Sequence, residues 1–325
     1  MTINFMAKRY YFFGFSLLII LSGIVAMSVW GIQFSNDFKG GSLLEAKFAS
    51  GKAPATDQVV EFYHKLGYPD VVISTSGDDI LIIRTSTMDQ NAVGTIIKSL
   101  GDQFKDQVTI LRFDNVGPTL AREVTNRSIL LVLVASVALS IYITIAFRGT
   151  PHAFRYGICT VAALIHDVLV MLSVAAITGH FWGWEIDTLF LTAMLTVIAF
   201  SAQDTIVVFD RIRENVGIFR RLGFEKMVNH SIVQTLTRSI NTQVMAVQFI
   251  LFSLVLFGGI TLQRFAVFLL VGMLSGTYSS DFNAAPLLIV WENREWRTWF
   301  KRKDNTGLAP EAKRPPFAAL DPAGF

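Results

Sequence analysis

Six times along this chain about twenty residues or more pass with almost no charge, at roughly 11–32, 128–147, 155–178, 188–209, 239–258 and 265–291. A helix of that length crosses the hydrocarbon core of a bilayer, and it pairs its own backbone groups where no water can do so. The first run carries no charge from Tyr10 to Phe34. It exceeds the roughly 7–15-residue core of a cleavable leader, so it reads as a retained anchor. The chain is 52% hydrophobic and 16% charged, against about 25% charged in a soluble protein. The class is therefore an α-helical polytopic membrane protein with six transmembrane helices. The lone Cys159 excludes an intrachain disulfide.

Positive residues set the orientation. Lys8 and Arg9 precede the first run, and Arg148 and Arg155 separate the second from the third. Arg211, Arg213, Arg220, Arg221 and Lys226 lie between the fourth and fifth; Arg294, Arg297, Lys301, Arg302 and Lys303 follow the sixth. The opposite loops, 179–187 and 259–264, hold only Arg264. The positive-inside rule places both termini in the cytoplasm. The net charge of +3 is too dispersed for a nucleic-acid partner; these basic groups meet membrane lipid instead.

Between the first two runs the pattern changes to that of a water-soluble domain. Residues 42–49, 71–75, 79–85 and 108–115 alternate as strands, and 56–66 and 91–104 read as amphipathic helices. The order β-α-β-β-α-β is that of a ferredoxin-like α+β unit, which predicts a shape and no chemistry. The expected divisions are 1–35 (N-terminus and first span), 36–127 (external domain) and 128–209 (spans two to four). They continue with 210–238 (a cytoplasmic amphipathic segment), 239–291 (spans five and six) and 292–325 (a Pro- and Lys-rich disordered tail). Residues 118–127 read as a short helix feeding the second span. Asp37, Lys39, Gly40 and Gly41 read as a turn into the external domain, because paired glycines admit positive φ.

Phosphate loops, dinucleotide fingerprints, His/Cys metal clusters and nucleophile elbows are absent from the sequence. Nothing marks an enzyme, a cofactor or a metal, so the remaining energy source is an ion gradient. An acid inside a membrane helix is by default a functional-site hypothesis. Asp204 lies in the fourth run, roughly 8–14 Å from its cytoplasmic end at about 1.5 Å per residue. Arg238 opens the fifth run at comparable depth, so the two can pair, and protonating the acid would release the arginine. The plainer alternative is a static ion pair, with Arg238 reaching to headgroups.

Ser201, Thr196, Gln203 and Thr205 surround Asp204 with hydrogen-bonding groups. His166 and Asp167, mid-span in the third run, read equally as a proton relay or as a buried polar pair bonded to nearby Ser and Thr. Adjacent helix residues point about 100° apart and do not face one partner. Gly272, Ser275, Gly276, Thr277, Ser279 and Ser280 form a small-residue face, read as packing. Asp281 follows as a second intramembrane acid without an assigned role. Asp210, Arg211, Arg213 and Glu214 sit at headgroup level as an interfacial anchor, where Asp210 can meet Arg213.

One span, a large external domain and five further spans resemble half of a resistance-nodulation-division (RND) transporter. The strings Asp37-Phe38-Lys39-Gly40-Gly41 and His166-Asp167-Val168 add detail, as does Gln203 to Asn215, reading QDTIVVFDRIREN. With Thr235-Leu236-Thr237-Arg238-Ser239 and Gly276-Thr277-Tyr278-Ser279-Ser280, they resemble the SecD/SecF protein-export family on its SecF side. The resemblance implies a bacterial inner-membrane subunit that pairs with SecD and associates with the SecYEG translocon. Such a subunit uses the proton motive force to help draw exported unfolded polypeptide across the membrane. Asp204 and Arg238 match the family's fourth-span acid and fifth-span arginine. H⁺ is the expected coupling ion, although a carboxylate with nearby hydroxyls also suits Na⁺.

The chain departs from the family pattern before the acid: where the usual run is Gly-Tyr-Ser-Leu-Asn it has Ala199, Phe200, Ser201, Ala202 and Gln203, keeping only the serine. It departs again at Asp281, which replaces an apolar residue. A small-molecule or lipid exporter of the same superfamily, or a purely structural partner of SecD, are the alternative functions.

Overall fold

The computed structural model describes residues 4–150, 152–219 and 221–295. The expected tail therefore lies outside the described residues from 296 onward. Contacts divide the chain into two compact units, Ile32–Val132 with Glu185–Leu191, and Met1–Gly31, Leu133–Trp184 and Thr192–Phe325.

The first of these holds four strands, β1 (Gly41–Phe48), β2 (Val72–Ser76), β3 (Ile80–Thr85) and β4 (Val108–Val116). They form one antiparallel sheet in the order β2-β3-β1-β4, with a register shift in the β1–β4 pair, where Leu111 of β4 is the extra residue opposite Glu45 and Ala46. Alternation decides which side is buried. Leu44, Ala46 and Phe48 on β1, with Leu81 and Ile83 on β3, face a core closed by the helices Thr56–Lys65 and Gln90–Phe104. Those helices contribute Val59 and Tyr63, and Val93, Ile96 and Leu100, at roughly helical spacing. A short helix, Asn36–Lys39, enters the sheet, with the Ser35 side chain accepting from the Asp37 amide at 3.3 Å. Gly40 and Gly41 follow at φ 78° and 117°. A Cβ on Gly41 would sit 2.6 Å from the Thr85 carbonyl oxygen, so both conformation and space call for glycine.

Beyond the sheet and its helices, α1 covers Arg9–Trp30, α5 Pro118–Ala146, α6 Ala153–Trp182, α7 Thr188–Ile218, α8 Phe224–Ile240, α9 Phe249–Phe257, α10 Ile260–Ser279 and α11 Ala285–Glu292; α5 as far as Val132 and α7 as far as Leu191 are grouped with the sheet-bearing unit. Here α2, α3 and α4 denote the three helices of the sheet-bearing unit, in chain order. Among the described residues five helical stretches are long and apolar enough to cross a membrane. They are Met6–Trp30, Pro118–Ala146, Ala153–Trp182, Thr188–Ile218 and Thr261–Glu292. The run 239–258 is instead divided among the end of α8, a π-helical stretch over Asn241–Gln248, and α9. A second π-turn, Ser280–Ala284, joins α10 to α11.

Two boundaries differ from expectation. Residues 118–127 are the first turns of one continuous helix, α5, not a separate feeder helix. The fourth apolar run does not end as a helix at Phe209: α7 continues to Ile218. Its inward stripe is unbroken across the charged string, with Val208, Phe209 and Ile212 buried and Val216 packed beside them. Nothing interrupts the helical pattern until Gly217. That core also holds Phe147 stacked on Tyr156 at 5.3 Å, with Phe209 edge-on to Tyr156 at 5.1 Å.

Close helix approach explains the buried glycines. A Cβ on Gly23 of α1 would overlap Ser173 of α6, and one on Gly272 of α10 would overlap Val197 and Met171. In an apolar solvent helices gain little by hiding apolar surface, so small residues that admit contact carry the packing.

Candidate functional site

The polar residues of the helical unit gather on α6, α7, α8, α10 and the turn after it. Asp167 on α6 is fully buried. Its Oδ2 accepts from Ser201 of α7 at 2.6 Å and from Ser279 of α10 at 2.8 Å; its Oδ1 accepts from Ser275 at 2.8 Å. His166 Nδ1 lies 3.1 Å from the same Oδ1. Of the two readings of the His166–Asp167 pair, this geometry is that of a buried pair held by neighbouring hydroxyls. The two adjacent side chains touch each other, the imidazole turning back onto its neighbour's carboxylate. One expectation is corrected: Ser275 and Ser279 are hydrogen-bond donors as well as small packing residues, one turn apart on the face of α10 that meets Asp167.

Packing sets this register. A Cβ on Gly276 would lie 3.1 Å from that of Ser201, so the glycine lets α7 and α10 close at the level where Ser201 reaches Asp167. Beside it the Thr205 and Ser280 hydroxyls are 2.9 Å apart, and Ser280 also donates to the Ser201 carbonyl at 3.1 Å. Ser201, the residue of the 199–203 run that keeps the family pattern, thus anchors the centre of the bundle.

Asp204 is half-buried on α7. Its Oδ1 accepts from Ser239 Oγ of α8 at 3.0 Å, while its Oδ2 is buried without a hydrogen-bond partner. The expected Asp204–Arg238 ion pair is not formed: among the described residues no ion pair joins them, and Arg238 is exposed. The cause is rotational. Arg238 and Ser239 are adjacent on α8 and point about 100° apart; the buried face presents Ser239, with Thr235 one turn before it. Arg238 still acts on Asp204 through space. Gln203 is exposed and turned away from Asp204, and Thr196 donates to its own helix at Thr192. Neither belongs to the polar surroundings expected for the acid.

Asp281, on the π-turn, is fully buried, and neither carboxylate oxygen has a hydrogen-bond partner. It lies close enough to Asp204 to feel that residue's charge. Arg213 pairs with Asp210 at 2.7 Å and Arg211 with Glu214 at 2.8 Å, all about half exposed, and the Arg213 guanidinium lies 5.5 Å from the Phe147 ring centre. Asn215, by contrast, is buried and donates to Ser231 and Gln234 of α8 at 2.8 and 2.9 Å. It pins α7 to α8, a role that its place at the end of a charge run conceals. No group of three or more His, Cys, Asp or Glu side chains suited to a metal occurs among the described residues.

Residues 96–294 match the family model described as protein export membrane protein SecD/SecF, C-terminal. A protein translocase subunit SecF from Anaerolinea thermophila is 54% identical over 300 residues, 92% of this chain and 97% of that protein. One from Thermobaculum terrenum is 40% identical, covering 94% of this chain and 99% of that protein. In Bacillus subtilis the relative is a protein translocase subunit SecDF, 32% identical over 90% of this chain and 38% of its own length. The crystal structure of SecDF from Thermus thermophilus superposes with a TM-score of 0.76 at 26% identity, over 90% of this chain and 39% of that one. The chain belongs to the SecD/SecF family of protein-export membrane proteins, on its SecF side.

Proposed function

We propose that this chain is the SecF-type subunit of a bacterial inner-membrane protein translocase, with Asp204 as its proton-coupling acid. The observation that carries the reading is the placement of Asp204. A carboxylate among membrane helices is expensive to keep, yet this one has a single hydroxyl donor, a buried oxygen without one, and an arginine nearby but unpaired. Such an acid can change protonation without first breaking a tight ion pair. Arg238 is then a counter-charge in waiting, able to approach Asp204 when the carboxylate is ionised.

In this reading the helical run 224–257 supplies the sixth crossing, and the βαββαβ unit is a ferredoxin-like external domain. Both termini face the cytoplasm, and the pairs Asp210–Arg213 and Arg211–Glu214 anchor α7 at the headgroups. SecD is the direct partner, since the Bacillus subtilis relative carries the matching region within a longer SecDF chain. The SecYEG channel and the exported polypeptide complete the assembly. Energy limits the stroke: one proton crossing 100 mV releases about 2.3 kcal/mol. Throwing a two-state element from 1:99 to 99:1 takes about 5.5 kcal/mol. A full stroke therefore needs more than one proton, a larger gradient, or acids from the partner.

The test is export driven by a proton gradient in vesicles carrying the Asp204→Asn protein in an assembled complex. Loss of the gradient-dependent part is expected. Undiminished gradient-dependent export with normal assembly removes Asp204 from the mechanism.

A further inference from the structure

Asp281 is a second carboxylate among the membrane helices, and its surroundings are unusual. Helix α10 is regular up to Ser279 and then widens into the π-turn Ser280–Ala284. π-turns inside helices recur at functional sites. Within this one, the Asp281 side chain is 0% exposed, and both its oxygens lack a donor. On α7, Oδ2 of Asp204 is also buried without a donor. The two acids are held at one level by their neighbours, because Thr205 and Ser280 touch at 2.9 Å. Gln243, one turn beyond Ser239, adds another buried oxygen without a donor.

Two ionised carboxylates cannot stay together in such a place without a compensating charge. Among the described residues no side chain supplies it. Arg238 is exposed and acts on Asp204 only at a distance. His166 on α6 is turned to Asp167, which is occupied by three serines. Tyr278 on α10 donates to the Phe12 carbonyl. Arg9 on α1 is held by Glu225 and Glu295, Arg155 on α6 pairs with Glu292 of α11, and Arg213 on α7 pairs with Asp210.

We propose that Asp204 and Asp281 form one two-carboxyl site for a small monovalent cation, a shared proton or Na⁺, between α7 and the π-turn. With a proton, the O–H of one carboxyl donates to the free oxygen of the other, and the pair keeps one negative charge. With Na⁺, the free oxygens are its ligands. The inference rests on the reading of Asp204 as the coupling acid and extends it: the ion-carrying unit is the pair.

The experiment is an infrared titration of the protonated-carboxyl band in the purified full chain in nanodiscs, with no export step. Wild type is compared with Asp204→Asn, Asp281→Asn and Asp281→Ile, in K⁺ and in Na⁺ at equal ionic strength. The pair should titrate in two coupled steps in wild type and in one step in each variant. The midpoint of the remaining acid should move by about one pH unit or more, tenfold in proton affinity. If Na⁺ occupies the site, replacing K⁺ by Na⁺ moves the wild-type midpoints to lower pH; coupled titration indifferent to Na⁺ identifies the proton. An Asp281 band that titrates alike with and without Asp204, or stays protonated at every pH with no response to Na⁺, overturns the proposal. The wild-type titration and its Na⁺ response stand even if a variant does not fold. Coupled titration alongside unaltered export by Asp204→Asn would leave this site standing and remove the functional reading.

Discussion

Replacing Asp167 by alanine measures how much the serine cluster holds the bundle together. Three hydroxyls lose their acceptor, but not equally. Ser279 can fall back on the Gly276 carbonyl, which it already approaches at 3.0 Å. Ser201 and Ser275 have no other side-chain hydrogen bond among the described residues. Hydrogen bonds between membrane helices contribute about 0.6 kcal/mol on average and up to about 1.7 kcal/mol. Two outright losses, with a small cavity at a fully buried position, give an expected destabilisation of about 2–3 kcal/mol. Asp167→Asn keeps one acceptor oxygen and should lose about half as much. The assay is reversible unfolding in mixed micelles, followed by tryptophan fluorescence and run as a double-mutant cycle of Asp167→Ala with Ser275→Ala. A coupling energy of about 0.6 kcal/mol or more is expected. If Asp167→Ala unfolds with wild-type stability, or the cycle shows no coupling, the cluster does not hold α6 to α10.

Other outcomes follow from single observations. Tyr63 keeps a hydroxyl buried without a partner in the core of the sheet-bearing unit, and burial raises its pKa above the ordinary 10.0. Tyr63→Phe should therefore stabilise that unit by about 1 kcal/mol, read by hydrogen exchange of its sheet amides, and the wild-type phenol should resist ionisation in an alkaline absorbance titration. Gly272→Ala forces a methyl onto Val197 and Met171, an overpacking expected to cost about 1–3 kcal/mol; a neutral outcome would mean that α7 and α10 pack more loosely than described. The exposed Asp106 carboxylate accepts from Ser50 Oγ at 2.6 Å and from the Gln107 amide at 2.8 Å, which lowers its pKa below the ordinary 3.8, chiefly through Ser50. A lowered pKa means its contribution is complete above pH 3.8 and is lost as the pH falls through the folded value. The Ser50 amide also donates to Asp106 at 3.2 Å; its hydrogen-exchange protection factor, read in the full chain, should fall below that pH, and Asp106→Asn should abolish this acid dependence.

What could be read in advance, and what could not, follows from the solvent each unit faces. In the sheet-bearing unit water distinguishes inside from outside, so the alternation Leu44, Ala46, Phe48 and the helical pair Val59 and Tyr63 announce strand and helix, and the observed elements begin and end close to those patterns. Among the membrane helices nearly every position is apolar, and hydropathy locates a helix without fixing its rotation. Arg238 and Ser239 stand at the same depth, and only packing decides that Ser239 meets Asp204. The same blindness hid Ser275 and Ser279, whose small side chains suit close approach and carboxylate binding equally. Nor does hydropathy register the π-turns over Asn241–Gln248 and Ser280–Ala284. An extra residue per turn rotates every later side chain about the helix axis, so the facing of Asp281 depends on where the turn falls. A chain that needed Asp281 only for packing would gain by an apolar residue there, because a buried carboxylate without donors is costly in a membrane. The cost is intelligible if the second acid shares the ion of the first, which lies within its electrostatic reach.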